Sequence, residues 1–374
     1  MQTLIKWPGG KSGEIFYIKD LIPAHRRYIE PFFGGGAVFF NLQPENVIIN
    51  DVCKELMDLY RFIKDEYSRE EFKKELYGYV NNWEKIPQYL SLFENNFLDL
   101  YLKYKQGKID VEELEEIVDD KIRKEVREFN GLFNNDFCLD DKNLMRQIIA
   151  NLFSKIKRVK DVEKERGDIP LGDLHKNIET AFRSGFYMHF RDIMNFNGTK
   201  YKVNHAKKIA NYYFVREFCY GSMFRFNSNG HFNIPYGGIA YNSKNFRSKV
   251  DYIFSEPVKK LFENTVIKNE DFEFFLNSYE FNKNDFMFLD PPYDTDFSTY
   301  EKKGFGKNDQ GRLANCLFKT KAKFILIIKK TPFIHSLYNN KKGIKLDSFE
   351  KKYLYNVKGR NDREVKHLIV YNFN

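Results

Sequence analysis

Two apolar runs leave this chain few folding options. Phe286-Met287-Phe288-Leu289 and Phe324-Ile325-Leu326-Ile327-Ile328 show no polar-apolar alternation. A strand that is apolar at every position has both faces covered, as in parallel sheets sandwiched between helices. The first run is cut short by Asp290-Pro291-Pro292-Tyr293. Proline fixes its own φ and drives the preceding residue into extended backbone, so Asp290 and Pro291 are held rigidly just past the strand. In open α/β sheets ligands bind at the carboxyl ends of strands, so this tetrapeptide points into an expected site. The same residues would also suit a rigid strand-to-loop turn with a capping carboxylate.

The rest of the chain agrees with an α/β class. Residues 26–65 read as strand, Gly-rich turn, helix, strand and helix, with Val47-Ile48-Ile49 ending in Asn50-Asp51. From about 66 to 215 the pattern turns helical: Val111, Leu114, Ile117, Val118, Ile122, Val126 and Phe129 recur at three- and four-residue spacing. Strand-and-helix alternation resumes after about residue 250. One α/β sheet interrupted by an inserted, mainly helical domain is the simplest architecture for 374 residues.

Composition narrows the class. Hydrophobic residues make up 42% and aromatics 17%, enough to fill a core. No apolar run approaches the roughly 18 residues of a membrane span, and the N-terminus lacks a signal-peptide layout, so a cytoplasmic protein is expected. Four scattered cysteines form no C-x-x-C pair, and no metal site is expected. The net charge of +9 is compatible with a polyanion partner and equally with a merely basic protein.

Gly9-Gly10-Lys11-Ser12 looks like the end of a phosphate loop, but that motif needs a glycine at position 5, which is Ile5. Glu30-Pro31-Phe32-Phe33-Gly34-Gly35-Gly36 is more informative. Glycines between a strand and a helix let backbone approach a ligand, although they also suit an ordinary tight turn. A dinucleotide fingerprint would need a third glycine at position 39, which is Phe39. Asp51, past the next strand, can accept hydrogen bonds from both hydroxyls of a ribose, and can equally cap a helix. Together they favour an adenosine cofactor without a pyrophosphate. S-adenosylmethionine (SAM) fits.

The Asp-Pro-Pro-Tyr segment suits an exocyclic amine on a nucleobase, a poor nucleophile because its lone pair is delocalised into the ring. The Asp290 carboxylate and the Pro291 carbonyl can bind its two N–H groups and aim the lone pair at a methyl donor. Tyr293 can stack on the base.

These motifs together resemble the Dam-type (alpha-class) DNA adenine-N6 methyltransferases. Lys6 to Lys11 is similar to that family's K-W-x-G-G-K segment, Glu30 to Gly36 to its E-P-F-x-G-x-G loop, and Asp290 to Tyr293 to its D-P-P-Y. Tyr220 to Gly237 resembles its base-reading N-G-x-x-R-[YF]-N-x-x-G-x-F-N-[VI]-P-[YF]-G hairpin, except that Gly221-Ser222 replaces N-G. The resemblance implies a Rossmann-like SAM-dependent methyltransferase sheet with an inserted, mainly helical target-recognition domain bearing a β-hairpin. The catalytic domain would span 1–65 and 246–374, the recognition domain 66–245, and the hairpin 220–237.

It further implies catalytic roles for Asp290, Pro291, Pro292 and Tyr293, and SAM contacts from Trp7, Lys11, Phe32, Gly34, Gly36, Asp51, Phe272 and Asp290. Tyr220, Met223, Arg225, Asn227 and Pro235 would contact DNA, with Arg225 suited to guanine O6 and N7. The implied reaction is methyl transfer from SAM to adenine N6 in double-stranded DNA by base flipping. A monomer is expected, and a cognate restriction endonuclease as functional partner, phage protection and regulation are all open as settings. An RNA adenine methyltransferase and a silent DNA-binding protein on the same fold remain alternatives. The resemblance does not cover the long helical segment. There, Arg183-Ser184-Gly185-Phe186-Tyr187 and Arg191 are expected to form a core stripe with solvated arginines rather than a DNA contact.

Overall fold

The computed structural model describes residues 1–11, 13–91, 94–125, 135–293, 305–352 and 364–374. Its contacts divide the chain into two compact units. One comprises Met1–Glu66, Phe224–Gly230 and Phe254–Asn374; the other comprises Tyr67–Met223 and His231–Ile253.

The first unit is built on a seven-stranded sheet. Its strands are β1 (Arg27–Glu30), β2 (Val47–Asn50), β3 (Thr265–Lys268), β4 (Asp285–Leu289), β5 (Lys323–Lys329), β6 (Lys345–Lys352) and β7 (Glu364–Tyr371). The order is β3-β2-β1-β4-β5-β7-β6. The first five run parallel, while β7 is antiparallel to both β5 and β6. Every residue of β4 is buried, as are Phe324 to Ile328 of β5, in accord with their unbroken apolar runs. Strand order reverses between β1 and β4, and such a switch point opens a crevice at the carboxyl ends of the strands. Glu30 ends β1, Asp51 follows β2 and Asp290 follows β4, so all three carboxylates stand at that edge.

At the opposite end of the same strand pair, Arg27 grips Asp285 through Nε (3.0 Å) and Nη2 (2.6 Å). The Asp285 carboxylate, almost fully buried, also accepts from the Asn282 amide at 2.8 Å. This fork pins β1 against β4 at Arg27↔Asp285, the start of their pairing.

The second unit is mainly helical. Its long helices are Glu66–Ser91, Asp141–Arg166, Leu171–Asn195 and His205–Phe218. The Val111–Glu125 helix buries Leu114, Val118 and Ile122, whereas Val126 and Phe129 lie outside the described residues. Trp83 anchors the core against Phe218 (4.2 Å between centroids), Phe214 and Phe186. Arg183 is buried with its guanidinium 4.4 Å over the Trp83 ring and bonded to the Trp83 carbonyl at 3.2 Å. The expected core stripe is therefore present, but Arg183 is not solvated. A guanidinium that finds an aromatic face, a carbonyl and Glu179 has its burial compensated.

Asp285→Ala should lower the unfolding free energy by about 1–3 kcal/mol, since it strands Arg27 and the Asn282 amide. An unchanged urea midpoint would contradict that role.

Candidate active site

The N-terminal segment forms one wall of the crevice. Trp7 lies against the glycine turn after β1. A Cβ on Gly34 would come within 2.7 Å of Trp7 Cδ1, and Gly34 has φ +49, so both space and conformation demand glycine. The turn is tied down by its neighbours. The Gly34 amide donates to Asp51 Oδ2 (2.8 Å), and the Tyr60 hydroxyl donates to the Gly34 carbonyl (3.1 Å). Phe224, carried by the 224–230 segment of this unit, packs on Trp7 with centroids 5.3 Å apart.

Four residues beyond Trp7, Lys11 is 2% exposed and its ammonium sits 2.5 Å from Asp290 Oδ1. The same nitrogen bonds the Gly9 carbonyl (3.0 Å) and stands 5.3 Å from the centre of the Tyr293 ring. The lysine that looked like part of a phosphate loop is thus the counter-ion of the Asp-Pro-Pro-Tyr carboxylate. His367 of β7 packs edge-on to Tyr293 at 5.6 Å. The buried Gln310 side chain donates from Nε2 to the Pro292 carbonyl (2.9 Å), while its Oε1 has no hydrogen-bond partner among the described residues.

On the β2 side, Asp51 Oδ1 accepts from the Cys53 amide at 2.9 Å. The Val52 amide bonds this carboxylate too, and a remaining lone pair can still meet a ligand hydroxyl. The loop after β3 is stitched to the end of β2: Asn50 bonds both the amide (2.9 Å) and the carbonyl (3.0 Å) of Glu270, and Asn269 bonds the Asp51 carbonyl (2.7 Å). Glu270 Oε2 is buried there without a partner among the described residues. Phe32, Phe272 and Phe305 form an aromatic trio with centroids 5.4–5.7 Å apart. Arg312 lies 4.8 Å over Phe272, held by Asp271, Glu273 and Asp309.

The D12 class N6 adenine-specific DNA methyltransferase profile matches residues 7–123 and 117–354. The chain belongs to this family. Among its relatives is the type II methyltransferase M.CviBI of Paramecium bursaria Chlorella virus NC1A, 26% identical across the whole of both chains. A second is the type II methyltransferase M.MjaIII of Methanocaldococcus jannaschii, 26% identical over all of this chain and 99% of its own. The retron Ec67 DNA adenine methylase of Escherichia coli is 29% identical over 44% of this chain and 54% of its own.

In this methyltransferase the expected site residues fall in two groups. Trp7, Lys11, Phe32, Gly34, Gly36, Asp51, Phe272 and Asp290 to Tyr293 all belong to the sheet unit, as do Arg225 and Asn227. Tyr220, Met223 and Pro235 belong to the helical unit. Arg225 is exposed, and Asn227 opens a turn in which its carbonyl accepts from Gly230 (2.9 Å). Instead of a long ladder, the 220–237 segment shows isolated bridge positions, the antiparallel Cys219↔Tyr236 among them. No described helix is long and apolar enough to cross a membrane.

Sequence reasoning gave Glu30 no role, yet it shapes the electrostatics. Burial pushes its carboxyl well above the ordinary carboxylate range, and the neighbouring charges of Asp290 and Asp51 add to the rise. The Tyr28 hydroxyl, bonded to Glu30 Oε2 at 2.9 Å, opposes it. Burial raises Asp51 too, against the opposing pull of the Cys53 and Gly34 amides. An unfolded glutamate ionises near about pH 4.3. Above that pH the native state therefore binds more protons than the unfolded chain, and this group's contribution to stability falls with rising pH until Glu30 itself ionises. Glu30→Gln keeps the shape and cannot ionise. Its melting temperature should match wild type near pH 4 and exceed it increasingly toward pH 8. A difference that stays constant with pH would sink the assignment.

Proposed function

We propose that this D12-class enzyme methylates adenine N6 in duplex DNA with SAM as cofactor, on a base swung out of the helix. The observation that carries the reading is Asp290, rigid at the end of β4 and paired with buried Lys11 at the sheet's switch point. The donor set suits SAM. Asp51, tied to the left-handed glycine turn, can offer a lone pair to ribose hydroxyls, and the Phe32, Phe272 and Phe305 faces suit an adenine ring. The unpartnered Glu270 Oε2 supplies a further acceptor.

When bound, SAM supplies an electrophilic methyl group on a sulfonium. The protein's part is to prepare the nucleophile. Asp290 and the Pro291 carbonyl accept the two N6 hydrogens, which draws the nitrogen toward tetrahedral geometry and aims its lone pair. Positive charge that would develop on N6 as the methyl left the sulfonium, whose C–S bond breaks to a neutral thioether, would be stabilised by the Asp290 carboxylate until one N6 proton passed to solvent. Lys11 fixes that carboxylate's orientation, and the Gln310 bond to Pro292 holds the following peptide. Tyr293 provides the stacking face, braced by His367. An amine within the base stack cannot reach these groups, so the base must leave the duplex.

Tyr220, Met223, Arg225, Asn227 and Pro235 are the proposed readers of flanking sequence, and the type II relatives favour a restriction–modification setting with a cognate endonuclease. Asp290→Asn and Asp290→Ala should bind SAM and DNA while losing more than about a hundredfold in methyl transfer. Near-normal turnover by either variant would remove Asp290 from its role.

A further inference from the structure

We infer that Arg216, which the sequence does not single out, is a specificity-determining positioning residue that holds the base-reading turn in shape without touching DNA. The inference rests on the proposed base-reading role of 220–237 and deepens it.

The turn is Tyr220-Gly221-Ser222-Met223. Gly221 has φ 60 and ψ 12, Ser222 has φ 52, and the Met223 amide donates to the Tyr220 carbonyl at 3.2 Å. Two successive positive φ values closed by that bond make a type I′ turn, the geometry for which Asn-Gly is best suited. Here Gly221-Ser222 stands where the resembling hairpins carry Asn-Gly, and the turn is still of the type that Asn-Gly suits. Serine is disfavoured in left-handed backbone, so an external restraint must hold it there.

Arg216 supplies that restraint. It lies in the last turn of the His205–Phe218 helix and is 1% exposed. Nη1 donates to the Met223 carbonyl at 2.6 Å and Nη2 to the Ser222 carbonyl at 3.3 Å. One planar fork thus binds successive carbonyls with charge-assisted bonds, which a lysine's single ammonium does not match. The Gly221 amide is held by the Tyr241 hydroxyl at 3.1 Å.

The returning segment is treated alike. The Tyr220 amide donates to the Pro235 carbonyl at 2.8 Å, which couples it to the turn. The Ile234 carbonyl accepts from both Tyr187 (2.9 Å) and Arg191 (3.2 Å) of the Leu171–Asn195 helix. Buried and half-buried donors therefore fix the backbone on which Tyr220 (55% exposed), Met223 and Pro235 are presented. Reading a base edge depends on placing such groups within fractions of an ångström, and a looser turn can adapt to wrong bases. Because Arg216 is buried it contributes no phosphate contact, so its loss should leave the salt dependence of DNA binding unchanged.

The test compares full-length wild type, Arg216→Lys and Arg216→Met on unmethylated genomic DNA with SAM, mapping methyladenine by sequencing. Arg216→Lys should lower the ratio of cognate to one-mismatch methylation at least tenfold, with SAM affinity and the salt slope unchanged. Adding Ser222→Gly, which relieves the left-handed serine, should restore part of that ratio. If Arg216→Met does not fold, exposed Gly221→Val disturbs the turn from the solvent side and should broaden the pattern in the same way. A wild-type ratio in Arg216→Lys or Gly221→Val, or activity falling equally at all sites, overturns the role of Arg216. Wild type that modifies no adenine in any sequence refutes the base-reading proposal itself.

Discussion

The site depends on the 2.5 Å ion pair between Lys11 and Asp290. Sheet topology brings Glu30, Asp51 and Asp290 to the ends of neighbouring strands, where mutual repulsion and loss of water would oppose folding. Each carboxyl is accommodated differently. Glu30 is driven toward its neutral form beside the Tyr28 hydroxyl, Asp51 is held by the Gly34 and Cys53 amides, and Asp290 receives a buried ammonium. The last is the carboxylate balanced by a side-chain cation, and it is the one proposed to accept the amine. The Trp7 ring on Gly34 and the Lys11 bond to the Gly9 carbonyl place that ammonium, so the N-terminal segment is part of the site.

Much of the sheet unit was legible in the sequence because its signals are local. Unbroken apolar runs marked β4 and the core of β5, two prolines marked the end of β4, and glycines marked the turn after β1. The contacts that make these pieces a site are remote in sequence. Only the family resemblance joined Lys11 with Asp290, nothing near Gln310 announces the Pro292 carbonyl, and Glu30 looks like any strand-terminal acid until its burial is known. Gly34 was legible as a turn residue, and the resemblance grouped it with Trp7, but the indole's demand for a glycine there was not legible.

The helical segment shows a related limit. Its periodicity revealed helices correctly, yet Arg183 and Arg191 looked solvated and Arg216 drew no notice. In the structure Arg183 serves Trp83, while Tyr187 and Arg191 serve the Ile234 carbonyl and Arg216 serves the Ser222 and Met223 carbonyls. Such residues satisfy main-chain acceptors in irregular segments, a need that hydrophobic patterning cannot report. The same accounting makes sense of Gly221-Ser222, where an unfavourable dipeptide keeps its turn because a buried guanidinium holds it.

The most direct test of the central claim is the identity of the modified nucleoside. Duplex DNA incubated with the purified protein and methyl-labelled SAM, then digested to nucleosides, should carry the label in N6-methyladenine alone. Label in a cytosine product, or none in DNA, would contradict the account.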